Sequence, residues 1–202
     1  MSLLKDWNDK FVGYLENNTK KTMIYFYLAI TTRLLIPIFL FQKVSPFYAI
    51  LINEIILDFF ISPHHYVKYT MPLDKRIYAN HYYTDKPLDH WGFAMSLQPV
   101  LLNKNKYYNM FEGYRQFLLN LFLFRLLGFI LFLIIKKKQI FVLFPNFYLT
   151  SYVIISFYSQ FKISKKSLNY ILFLGMIFSI FKEINIHWRK PYNEDDKDFS
   201  IF

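Results

Sequence analysis

Four carboxylates have the types and spacing to do chemistry. Glu54 and Asp58 form one pair, Asp85 and Asp89 a second. Each pair is spaced i,i+4, which puts its members on one face of a helix. Carboxylates so close repel, so a cation between them or a proton on one of them is expected. Magnesium or manganese draws oxygen ligands from several carboxylates. Glu54, Asp58, Asp85 and Asp89 could supply four if their helices are neighbours. Two plainer roles compete with that one. Asp85 can cap a helix that carries Pro87 in its first turn. Arg33 or Arg125, each inside an apolar run, can neutralise Glu54 and Asp58.

Four of the five histidines, His64, His65, His81 and His90, lie in or beside the intervening polar segment. Their spacing matches no H-E-x-x-H motif, and the chain has no cysteine, so they read as interfacial residues. Glu183 and His187 are again i,i+4, beside Trp188, Arg189 and Lys190. They read as an interfacial anchor, with an accessory role at the site as the alternative. The five glycines are scattered, and no G-x-S-x-G, phosphate loop or Rossmann fingerprint is present. No haem, iron–sulfur cluster or nucleotide-fold cofactor is expected.

These residues are set in long apolar blocks. The chain is 54% hydrophobic and 22% aromatic, and blocks of that length are the pattern of membrane spans. The predicted fold is all-α, a polytopic transmembrane helix bundle of about six spans. They run near 22–42, 46–62, 85–103, 116–135, 139–160 and 168–188. The fifth should kink at Pro145, and the third, with Gln98 and Pro99, could be re-entrant. Residues 1–21 read as an amphipathic interfacial helix around Trp7. Residues 22–190 form one transmembrane domain with a polar loop at about 63–84, and 191–202 an acidic solvated tail. A charge at bilayer depth costs roughly 2.5–3.5 kcal/mol, so Glu54, Asp58, Arg33 and Arg125 should face the bundle interior.

The net charge of +10 sits mostly in short loops beside the spans. It therefore points to the lipid bilayer and anionic headgroups as partners, with no nucleic acid expected. No removable signal peptide is expected. A homodimer could supply a second half to a small ion-coupled carrier, one alternative for the intramembrane charges.

The layout resembles the CDP-alcohol phosphatidyltransferase family. The resemblance rests on six spans, cytoplasmic termini and the D-x-x-x-D fragment Asp85-Lys-Pro-Leu-Asp89. It implies a metal-dependent transferase acting on lipid-linked phosphate. Asp85 and Asp58 would be metal ligands, and Asp89 the catalytic base that deprotonates an acceptor alcohol. The sequence departs from the family pattern at Phe59 and His81, where glycines belong, in having no Ala-Arg after Asp58, in the spacing of four rather than three from Glu54 to Asp58, and in the offset of 27 from Asp58 to Asp85.

Counting Lys and Arg between the six expected spans gives fifteen on the side of the termini and seven on the other. Both termini are therefore expected in the cytoplasm. Reporter fusions after Phe202 and within 104–114 should report opposite sides of the membrane, cytoplasmic for the first.

Overall fold

The computed structural model describes residues 19–61 and 85–189, and every regular element among them is helical. The expected amphipathic segment (to residue 18), the polar loop with His64, His65 and His81, and the acidic tail lie outside the described residues. The described residues fall into two compact units, divided between Gln98 and Pro99.

The first unit is built on α1, Thr19–Lys43. Phe26, Ala29, Arg33, Pro37 and Leu40 are buried at spacings of three and four, one stripe along the helix. Ile24, Tyr27, Leu28, Leu35 and Phe39 are more than half exposed and wholly apolar or aromatic. After α1 comes α2, Pro46–Leu51, with proline at its start. Its path continues directly as a π-helix, Ile52–Phe60. Ile61 N–H closes it on Ile56 O, five residues back, at 3.1 Å. Then α3, Lys86–Ser96, packs on α1. Trp91 Nε1 donates to Leu34 O at 2.8 Å and Gln98 Nε2 to Ile38 O at 3.4 Å. These carbonyls flank Pro37, whose missing N–H loosens the ladder there.

The second unit opens with α4, Gln98–Leu101, which runs across the division, and a 3₁₀ turn at Tyr108–Phe111. Its long helix is α5, Arg115–Ile135. Leu118, Phe122, Arg125, Gly128 and Phe132 form the buried stripe, again with an arginine at its centre. Next come α6, Ile140–Leu143, and α7, Phe147–Gln160. The kink expected at Pro145 is a full break, with Phe144, Pro145 and Asn146 outside any helix. Helix α8, Leu168–Ile184, follows and passes into a second π-helix, Asn185–Arg189. Helices α7 and α8 approach closely at Gly175, where an added Cβ would lie 2.7 Å from Ile154 Cδ1. Ser179 Oγ and Thr150 Oγ1 share a 2.6 Å hydrogen bond beside it.

Among the described residues, three helices are long and apolar enough to cross a membrane: Met23–Lys43, Arg115–Ile135 and Leu168–His187. No more than 28% of any of these windows is buried, so their outward faces suit an apolar surrounding. The other three expected spans are shorter or broken. A π-helix takes over at Ile52, α3 ends at Ser96, and Pro145 breaks the run from 139 to 160.

Gly92 supplies a test of the first unit. A Cβ there would meet Asn53 Nδ2 at 2.7 Å and Oδ1 at 3.0 Å. Gly92→Leu, whose side chain is too large for Asn53 to clear by turning its end, should lower stability by about 1–3 kcal/mol, the usual cost of overpacking. Thermal unfolding in detergent reads this as a lowered midpoint.

Candidate functional site: an arginine among three aspartates

The site of the first unit grows from the centre of the α1 stripe. Arg33 is 3% exposed and has only apolar neighbours in its own stripe. Its guanidinium needs acceptors from other elements, and three carboxylates provide them. Nη1 donates to Asp85 Oδ1. Nη2 donates to Asp89 Oδ1 at 2.6 Å and to Asp58 Oδ1 at 2.9 Å. Asp58 comes from the first π-helix, Asp85 from the residue before α3, and Asp89 from the first turn of α3. Asp89 Oδ2 also accepts from Lys86 Nζ at 2.8 Å.

Asp85 does stand at the N-cap position of α3, but its side chain makes no capping bond. The capping expectation is corrected: the carboxylate serves Arg33 instead, because a buried guanidinium binds an acceptor more strongly than a neutral backbone N–H does. Glu54 is not one of the three carboxylates that meet. It is half-buried and accepts from Asn53 Nδ2 at 3.0 Å. His90 is buried inside α3, with Nδ1 2.8 Å from Lys86 O, rather than at an interface. Lys86, one of the basic residues counted for topology, also joins the cluster. Its spacing of three from Asp89 was the signal for a pairing role.

One oxygen from each of Asp58, Asp85 and Asp89 lies within 4.8 Å of the other two. By donor type such a set could hold a metal ion. The same three carboxylates are the acceptors of Arg33, so the guanidinium competes with a metal for them.

Arg125, 4% exposed, belongs to a separate cluster in the second unit. It pairs with Glu183 Oε1 at 3.5 Å, while Arg33 is the arginine that meets Asp58. Glu183 Oε2 lies 2.9 Å from His187 Nε2. The interfacial anchor expected of Glu183 and His187 is corrected. Both are buried, at 3% and 4% exposed, because each continues the inward face of α8. The Phe141 ring covers Arg125 at 4.6 Å and His187 at 5.3 Å.

Comparison with family models, with curated proteins and with solved structures finds no match for this chain.

Removing a charge from a buried cluster leaves its partners uncompensated. Arg33→Ala should cost roughly 3–5 kcal/mol. Arg33→Lys keeps the charge but loses the forked geometry and should fall between that variant and the native chain. Asp58→Asn should cost least of the three aspartate changes, since the Asp58 side chain is 32% exposed against 3% for Asp85. Denaturant titration of the purified variants orders them.

Proposed function

We propose that the chain is a multi-pass integral membrane protein, crossing about six times with both termini cytoplasmic, and that its Arg33 cluster joins helices without a chemical step of its own. The supporting observation is the convergence of Asp58, Asp85 and Asp89 through one oxygen each on a single guanidinium. A catalytic carboxylate needs an oxygen free to meet substrate. Here Asp89 gives one oxygen to Arg33 and the other to Lys86. Ion pairs of this kind fix which helix faces meet, and they do so most strongly where water is scarce.

A second reading is a metal-dependent transferase acting on lipid-linked phosphate. It is favoured by the three carboxylate oxygens within 4.8 Å of one another. Under it, Asp58 and Asp85 hold the cation, Arg33 withdraws to meet phosphate charge, and Asp89 takes the proton of the acceptor hydroxyl.

Thermal unfolding in detergent with magnesium or manganese against a chelator separates the two. A ligand at 100 times its dissociation constant adds about 2.7 kcal/mol, a rise of several degrees for a chain of this size. Helix joining predicts an unchanged midpoint and no lipid product in vesicles with magnesium. A rise in the midpoint that Asp85→Asn abolishes, with product formation that Asp89→Asn abolishes, would establish the transferase instead.

A further inference from the structure

The break in the second unit raises an accounting question. Pro145 and Asn146 are buried, and a buried backbone N–H or C=O needs a partner. Pro145 has no N–H to give, so the helical ladder cannot cross it. The turn settles part of this locally. Phe147 N–H donates to Pro145 O at 2.8 Å, and Asn146 sits at φ −77°, ψ 62°, an inverse γ-turn. Asn146 Oδ1 then caps α7 by accepting from Leu149 N–H at 3.1 Å.

Two further groups are met from other helices. Phe144 C=O, at the end of α6, accepts from Arg125 Nη1 on α5. Asn146 N–H, at the start of α7, donates to Glu183 Oε1 on α8 at 3.3 Å. A cation thus sits at the carbonyl end of one half-helix and an anion at the N–H end of the next, each favourable for the helix dipole. The two are also bound to each other, at 3.5 Å. Gly128 completes the seat, since a Cβ on it would strike Phe144.

We propose that Phe144–Asn146 is a hinge, and that Arg125 and Glu183 form the latch that holds it shut. Hinges are short stretches that absorb backbone rotation. This one is closed by side chains of two neighbouring helices, so α6 can swing away from α7 without unwinding either. The inference rests on burial within this unit alone and holds whatever the number of crossings or the role of Arg33.

The native chain contains no cysteine, so paired cysteines can be spin-labelled cleanly. Leu143 on α6 and Tyr170 on α8 are 69% and 66% exposed and make the reporting pair. Leu123 on α5 and Tyr170 make a control pair outside α6. The native chain should give one distance for each pair. Glu183→Gln should add a second distance for Leu143–Tyr170, its population raised about tenfold or more by the loss of charge-assisted bonds, and leave the control unchanged. If Glu183→Gln does not fold, Glu183→Asp, which keeps the charge but shortens the reach, should show the same second distance. A single unchanged distance in the folded variants overturns the latch. So does equal broadening of both pairs, which marks general loosening.

Discussion

A guanidinium cannot be left alone in an apolar interior, and the first unit is arranged around that constraint. Arg33 stands at the middle of the only buried stripe of α1, so its acceptors must arrive from elsewhere. Asp85 and Asp89 fix both the position and the rotation of α3, because only one face of its first turn carries them. Trp91 and Gln98 then tie the same helix to carbonyls further along α1. Gly92 lets Asn53 come close enough for the first π-helix to deliver Asp58. Each contact is modest, yet each is aligned by the same charge.

The second unit meets the same constraint with different acceptors. Arg125 also occupies the centre of the buried stripe of its long helix. It finds one carboxylate, one aromatic face and a backbone carbonyl. Arginine suits both places because its fork offers several donors in one plane, whereas a lysine would place a single point charge. The difference in acceptors matters. Arg33 joins side chains from neighbouring elements, while Arg125 replaces part of a helical ladder that Pro145 removes.

Much of this was legible in the sequence, and the limits have physical causes. The long helices follow from apolar runs, and α1, α5 and α8 fall close to their expected bounds. The inward placement of Arg33 and Arg125 follows from the cost of exposing charge to an apolar surrounding. The Arg33–Asp58 pair follows from the expected neutralisation of Asp58. The pairing of Arg33 with Asp85 and Asp89, and of Arg125 with Glu183, did not follow, because contacts across 52 or more positions depend on packing that no local spacing encodes. Glu183 and His187 were misread for a related reason. Their neighbours Trp188, Arg189 and Lys190 are typical of an interface, and that local signal masked the inward stripe Leu168, Leu172, Ser179, Glu183. Pro145 signalled a disturbance, but whether a proline bends or breaks a helix depends on what else can satisfy the freed backbone.

The π-helix at Ile52–Phe60 belongs to the same logic. In an α-helix, residues five apart are turned by about 140° from one another, so Asn53 and Asp58 would point in different directions. Widening the turn to an i→i+5 pattern brings such residues into line. Asn53 is then free to fill the space above Gly92, while Asp58 reaches Arg33. Glu54, four residues before Asp58, keeps to the same side of the widened helix and is half-buried beside Asn53. The i,i+4 spacing of Glu54 and Asp58 suggested a pair acting together. Glu54 adds negative charge beside Asp58, and Asp58 is the member of the pair that reaches Arg33, so the chemistry available at the cluster depends on reach along the helix as well as on the spacing of its acids.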